Sequence, residues 1–273
     1  MSFQPILPMD GYVGWRFLQR TLDSQQRSFA KTPAAQRDET YFRETIGTIT
    51  SAKALVQDRR LLRVTLTAFG LQDDLPNRAY VQKVLESSVY DDRSFANRLA
   101  DKRYLALAKA FSFADRAVPR NQLSGFADTI LTQYRDRSFE IAVGDQNDSM
   151  RMALALGRDL GALAAQDSSE ATRWYTVLGT PNLRQVFETA YHLPSSFGTL
   201  DIDQQVEILK TRTERLTGSN TIAQFTDPEA VDALTRRFFL IGQVAQIQAS
   251  GMQNTALTLL QTGQASLKAM LGR

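Results

Sequence analysis

Apolar residues recur at intervals of three and four positions along most of the chain, which is the spacing of amphipathic α-helices. Alternating apolar and polar runs bounded by turn residues, which would predict strands, are almost absent. The pattern therefore predicts an all-α protein, an array of about ten helices. A clear example covers residues 12–31, where one row of the helix contains Trp15, Leu18, Leu22, Gln25 and Phe29.

Capping residues divide this pattern into separate helices. Ser51 is a typical residue before a helix and Gly70 a typical residue after one, so residues 51–69 are predicted to form one long helix. Asp201 and Gly218 frame a further predicted helix in the same way.

Breaks in the pattern suggest how the chain is organised. Residues 1–11 contain prolines and are expected to be a mobile N-terminal arm. Residues 12–217 form the predicted helical domain, with a candidate internal boundary at residues 117–122, which contain proline and asparagine. Residues 218–273 are predicted to be a C-terminal helical segment, uncharged over most of its length, that packs on the domain or on a partner.

Two segments of the predicted domain resemble one another. Each begins with an aspartate, at Asp58 or Asp101, continues with basic residues and ends near an aromatic residue. A duplicated helical unit accounts for this likeness, and so does the chance similarity of two amphipathic helices.

The least usual stretch lies close to the C-terminus, where no charged residue occurs between Arg237 and Lys268. Exposed helices carry charge on their outer face, so an uncharged helix is suited to burial against other helices. It either docks on this protein's own core or assembles with another chain. One apolar row contains Leu240, Val244 and Ile247, and a second contains the candidate interaction residues Leu257, Leu260, Gln264, Leu267 and Leu271.

Composition excludes several classes of function. The chain has no cysteine, so it forms no disulfide, thiolate nucleophile or zinc finger. A net charge of +3 without a basic face gives no reason to expect a nucleic-acid partner. The chain contains no run of about 18 apolar residues, so we expect no membrane insertion. The N-terminal residues do not resemble a cleaved secretion signal, so we expect a cytoplasmic protein or one exported without such a signal.

The sequence contains no complete catalytic motif. His192, the only histidine, lies at a predicted helix end, where helix capping explains it. Asp201 and Asp203 resemble a metal-binding pair, but they also suit the first turn of a helix. Phosphate-binding, dinucleotide-binding and EF-hand motifs are absent. We therefore predict no catalytic residue, no cofactor and no metal. The alternative of an enzyme that uses two carboxylates, brought close together by the fold, stays open.

Basic residues cluster in two places, each beside an aspartate. We interpret them as solvated helix faces, with contact to an acidic protein or a phosphate as the alternative. Trp15 and Trp174 lie on apolar helix faces and are predicted to be core residues. The basic residues are Lys53, Arg59, Arg60, Arg63, Lys102 and Arg103.

Four stretches carry a likeness to a known family: GYVGWRFLQRTLDSQQ, YFRETIGTITSAKALVQDRRLLRVTLTAFGL, DDRSFANRLADKRYLALAKAF and LRQVFETAYHLPSSFGTLDIDQQVEILK. With them the chain resembles the alphaproteobacterial family catalogued as domain of unknown function 1217. The resemblance covers residues 11–217 and implies no activity, cofactor or active site. It does imply a genomic context, since members of the family are often encoded among flagellar genes.

We predict a non-enzymatic structural or assembly protein linked to the bacterial flagellum, with a protein partner or self-association. Flagellar axial proteins generally lack cysteine and pair through uncharged terminal helices, and the rows around Gln25 and Gln264 suggest that the two terminal helices pack together in coiled-coil fashion. One alternative is a cytoplasmic adaptor or export chaperone that binds a partner helix in a groove. A second alternative is an uncharacterised carboxylate-based enzyme.

Overall fold

The computed structural model describes residues 3–248, and in this range it contains α-helices and short 3-10 turns without a strand. The predicted all-α class is therefore confirmed, and eleven of the thirteen α-helices within residues 3–248 have at least seven residues. The helices are α1 (Gly11–Ala30), α2 (Pro33–Thr45), α3 (Ala52–Gln57), α4 (Arg59–Ala68), α5 (Arg78–Leu85), α6 (Phe95–Arg98), α7 (Lys102–Phe111), α8 (Phe126–Gly144), α9 (Asp148–Ala164), α10 (Glu170–Gly179), α11 (Pro181–Ala190), α12 (Ile202–Thr217) and α13 (residues 228–248).

The chain divides into two compact units, Met1–Leu154 and Ala155–Arg273. The candidate boundary at residues 117–122 falls inside the first unit. There the buried side chain of Asn121 donates hydrogen bonds to the carbonyl oxygens of Ile46 and Ile49, at 2.7 and 2.8 Å. The domain boundaries inferred from the sequence stay predictions.

Helix α4 lies at the centre of the first unit and packs against α2, α3 and α8. The prediction of one helix from Ser51 to Phe69 is wrong, because the chain turns at Asp58 between α3 and α4. The Asp58 carboxylate accepts hydrogen bonds from the backbone N–H groups of Arg60 and Leu61, both at 2.9 Å, and from the Tyr41 hydroxyl at 2.6 Å. A side-chain cap thus replaces the backbone bonds that a continuous helix would make.

The helices of the two similar segments, α4 and α7, begin and end in the same way. Asp58 caps α4 and Asp101 caps α7, each through its carboxylate. After α4, Gly70 takes a left-handed conformation with φ +69°, and after α7 Ser112 does so with φ +52°. The likeness thus extends to capping at both ends of the helix, which a duplicated unit and a chance similarity explain equally well.

Residues 3–10, expected to be mobile, lie along the first unit. Gln25 accepts a hydrogen bond from the backbone N–H of Ile6 at 2.7 Å and donates one to the Ile6 carbonyl at 3.1 Å. The side chain of Gln146 donates to the Pro5 carbonyl at 2.8 Å. The polar position in the apolar row of α1 therefore holds this arm.

The second unit has an aromatic core. Phe187 of α11 makes edge contacts with Trp174, Tyr191 and Phe225, with ring centroids 5.7–6.0 Å apart. The buried indole of Trp174 donates to the Asn220 carbonyl at 3.0 Å, so its polar atom is satisfied. Trp15 and Trp174 are both buried, which confirms their prediction as core residues.

Within residues 3–248, no helix combines the length and apolar character that a membrane span requires.

Candidate protein-interaction surface

Helix α13 is firmly attached at its first half. Asp227 caps its start by accepting a hydrogen bond from the Glu229 N–H at 2.9 Å. Leu234, Thr235, Phe238 and Phe239 are buried. The guanidinium of Arg237 donates to the carbonyl oxygen of Ala190 at 2.8 Å and so fixes α13 to the end of α11.

The second half of α13 presents an apolar row to solvent. Leu240, Val244 and Ile247 are 45%, 46% and 71% exposed, and we call these three residues the terminal stripe. Every side chain of residues 243–248 is exposed, and none of residues 238–248 carries a charge. The second half of α13 therefore lacks the charged outer face that normally keeps an exposed helix in solvent.

The terminal stripe has the geometry of one side of a helix pair. Its spacing of four and then three residues is the spacing at which knobs of one helix enter holes of another. Full burial of one Leu, Val or Ile side chain contributes about 1.5–3 kcal/mol relative to full exposure. Covering the stripe therefore favours association, and the loss of translational freedom opposes it.

The candidate residues Leu257, Leu260, Gln264, Leu267 and Leu271 lie outside the described residues, so their role stays a prediction. The same holds for the proposed pairing of the two terminal helices. On the N-terminal side, Leu18 is fully buried and Gln25 is engaged by Ile6. In the first unit α1 packs against α2 and α8.

The residues considered for catalysis are helix-end residues. His192 is exposed and has φ +50°, and its N–H donates to the Thr189 carbonyl at 3.0 Å where α11 ends. This confirms its prediction as a capping residue. Asp201 caps α12 by accepting from the N–H of Asp203 at 2.9 Å, while the Asp203 carboxylate accepts from the Tyr175 hydroxyl. Across residues 3–248, no cluster of histidine and carboxylate side chains is arranged to hold a metal ion.

All six basic residues of the two clusters are exposed, which agrees with their interpretation as solvated helix faces, and several of them also pair with polar groups of the first unit. Arg63 donates to both carboxylate oxygens of Asp38 at 2.8 Å, and Arg60 lies 3.7 Å from the same group. Lys102 donates to the carbonyls that precede α7, and Arg103 bonds its own cap, Asp101. Tertiary packing thus pairs Arg60 and Arg63 with Asp38, whereas Lys102 and Arg103 make local contacts at the start of α7.

Two tyrosine hydroxyls lie next to carboxylates of the first unit and stabilise its fold, as the arginine pairs do. Burial, and then the Asp38 carboxylate, raise the pKa of Tyr134 to about 12, so this phenol stays protonated and donates to Asp38 at 3.2 Å. Burial followed by the Asp74 carboxylate raises the pKa of Tyr104 as well. These shifts move the hydroxyls away from the neutral pKa that a general base needs.

The second unit carries another surface feature, which the sequence pattern does not predict. The 3-10 turn Ser195–Thr199 and helix α12 enclose an open cleft of about 420 Å³. We call it the α12 cleft. Its lining includes Leu193, Phe197, Leu200, Ile208, Arg212 and Arg215.

The structure is similar to the crystal structure of protein AGR_C_984 from Agrobacterium tumefaciens, with a TM-score of 0.71 and 26% sequence identity. The similarity covers 88% of this chain and 98% of the Agrobacterium chain. No protein of curated function matches the chain significantly. The family model described as protein of unknown function, DUF1217, matches residues 68–231. This match spans more than half of the chain and confirms the resemblance seen in the sequence: the chain belongs to the DUF1217 family.

Proposed function

We propose that this protein is a non-enzymatic assembly protein that pairs with a second copy of itself through α13. The observation that carries the proposal is the open terminal stripe on the second half of α13, which contains no charged residue. The first half of α13 is anchored to the second unit, so the helix presents its second half in a fixed direction for pairing. Such preorganisation lowers the entropic cost of association.

A second copy is the partner whose chemistry fits best. Charged residues beside an apolar row set which helices pair, and like charges that face one another oppose the pairing of identical helices. Residues 238–267 offer no such charge, so like pairs with like without electrostatic repulsion. The same three-and-four spacing recurs further along the sequence, and we propose that it continues the interface. It is formed by Leu257, Leu260, Gln264, Leu267 and Leu271.

Single cysteines test this pairing cleanly because the natural chain contains none. Cysteines would be placed one at a time at positions 240, 244, 247, 257 and 260, and the full chains would be oxidised with copper phenanthroline. The proposal expects a covalent dimer from at least one position, since an antiparallel pair brings only positions near its axis together. Tyr90→Cys, exposed in the first unit, is the matched control. Dimer yields no higher than this control at all five positions would contradict the proposal.

We place this assembly function in the bacterial flagellum. The support is the resemblance to a family whose members are often encoded among flagellar genes, together with the absence of charge in the second half of α13. A clean deletion strain should fail to swim in soft agar, and the gene supplied in trans should restore swimming. Normal swimming by the deletion strain would contradict the flagellar setting and leave the self-pairing to the cysteine test.

A second candidate function is that of an adaptor that binds a segment of another protein. The observation that favours it is the α12 cleft, whose floor is apolar and whose mouth is open. Peptide binding to the cleft would separate the adaptor from a protein that only pairs with itself.

A further inference from the structure

The α12 cleft combines an apolar floor with cationic side chains at one end. Phe197 is buried at its base, Leu193 and Ile208 are half-buried, and Leu200 is exposed at its rim. Ile208, Arg212 and Arg215 follow one another at intervals of four and three residues, so they lie along a single face of α12. An apolar side chain and a negatively charged group of one ligand therefore meet complementary surfaces here.

The two arginines at this end have no partner within the described part of the chain. Arg212 and Arg215 are exposed and make no ion pair or side-chain hydrogen bond there. The neighbouring Arg184 is different, since it bonds Glu188 at 2.7 Å and Gln205 at 3.1 Å. The structure thus neutralises one arginine near the cleft and leaves two available.

Acidic groups of the cleft do not compete for these arginines. Glu207, which also lines the cleft, is bonded by Lys210 at 2.8 Å. The C-terminal residues 249–273 contain Lys268 and Arg273 and no aspartate or glutamate, so their charge does not complement the cleft. The C-terminal residues therefore do not supply the negative charge that Arg212 and Arg215 would bind.

We propose that the α12 cleft binds an acidic amphipathic segment of a partner protein. Its apolar side chains would contact Phe197, Leu200 and Ile208, and its carboxylates would accept charge-assisted hydrogen bonds from Arg212 and Arg215. Carboxylates three or four residues apart on a helix match the spacing of the two arginines. This inference deepens the adaptor candidate and does not depend on the self-pairing of α13.

The probe is a fluorescein-labelled peptide of about 16 residues, long enough to form a helix, with leucines on one face and glutamates beside them. Its affinity for the full-length protein is measured by fluorescence anisotropy. A peptide with glutamine in place of glutamate is the first control, and it should bind about tenfold more weakly because it loses the charge-assisted bonds.

Arg212→Glu/Arg215→Glu should weaken binding of the acidic peptide by about tenfold or more. Arg93→Glu/Arg98→Glu makes the same change of charge on exposed residues of the first unit and should leave affinity within about twofold. A lysine-bearing peptide should regain affinity for Arg212→Glu/Arg215→Glu, which shows that this variant keeps its fold. Equal weakening by both double variants, or none by either, would overturn the proposal.

Ile208→Ser tests the apolar half of the cleft. It should weaken binding of the acidic peptide while the charge of the cleft stays the same. If Ile208→Ser has no effect and inorganic phosphate displaces the peptide, the arginines form a simple anion site and the proposal is wrong. Self-association measured on Arg212→Glu/Arg215→Glu should equal that of the natural chain. A failure of the cleft proposal is therefore distinguishable from a failure of the self-pairing.

Discussion

Helices α4 and α13 share one pattern of apolar residues and differ in what covers it. In α4, Leu62 and Leu66 are fully buried beneath neighbouring helices of the first unit. In α13, Val244 and Ile247 have the same kind of spacing and are exposed. The spacing predicts a helix with an apolar face in both cases. It does not say which element covers that face, since this depends on residues distant in sequence.

Charge already distinguishes the two helices at the level of their sequences. The outer side of α4 carries arginines, two of which the fold pairs with Asp38. The second half of α13 carries no charge on any side. A helix whose outer side is charged is built to meet solvent, whereas a helix without charge needs cover on more than one side. Helix α4 thus meets solvent on one side and packs in its unit on the other, and the missing charge in the second half of α13 supports the proposal that this half pairs with another helix.

The sharpest test of this difference compares equivalent truncations in the two helices. Leu62→Ala should destabilise the first unit by about 2–5 kcal/mol because it leaves a cavity in a packed core. Val244→Ala should change the stability of the second unit by less than about 0.5 kcal/mol in the monomer. Urea unfolding followed by tryptophan fluorescence measures both, because Trp15 lies in the first unit and Trp174 in the second.

Each unit is followed separately by replacing the other tryptophan with phenylalanine in the reference protein and in the variant alike. A cost for Val244→Ala as large as that for Leu62→Ala would show that α13 is covered within its own unit.

Asn121→Ala should be the next largest effect, although the residue lies where a linker was predicted. The change leaves the carbonyl oxygens of Ile46 and Ile49 without their donor and should cost about 1–3 kcal/mol. Asn77→Ala, on an exposed asparagine, is the matched control. Equal small effects of the two substitutions would mean that residues 117–122 behave as a linker.

The charge pairs of the first unit provide a smaller test. Asp38 is 13% exposed and bonds Arg63 and Tyr134, so Asp38→Ala should cost about 1–2 kcal/mol. Asp128 is 71% exposed and pairs with Arg43, so Asp128→Ala should cost less than about 0.5 kcal/mol. Urea unfolding in low and high salt measures both. Equal costs for the two variants would contradict a structural role for the Asp38 pairs.

Gln25→Ala should lower the free energy of unfolding by about 1 kcal/mol, less than Asp38→Ala, because the hydrogen bonds that it removes lie at one edge of the unit. Its clearer consequence is local, since the N-terminal arm loses its contact with α1. Limited proteolysis should then cut within residues 3–10 faster than in the natural chain. An unchanged cutting rate would show that Gln25 does not hold the arm.

Local chemistry explains which parts of the fold the sequence could predict. The ends of helices at Gly70, His192 and Gly218 depend on one residue with a left-handed conformation, and sequence reveals such positions. The break at Asp58 was missed because Tyr41, which bonds the same carboxylate, is distant in sequence. The sequence does not predict the α12 cleft for the same reason, since Phe197 and Arg215 line one cleft only in the folded chain.

The central claim is that α13 is an interface between two copies, and sedimentation velocity of the full chain tests it most directly. Over roughly 1–100 µM the natural chain should shift towards twice its mass of 30.6 kDa. Leu240→Glu/Val244→Glu/Ile247→Glu should sediment as a monomer throughout. Tyr90→Glu/Val118→Glu/Leu123→Glu, which alters three exposed apolar residues elsewhere, should behave like the natural chain. A natural chain that stays monomeric over this whole range would contradict the account.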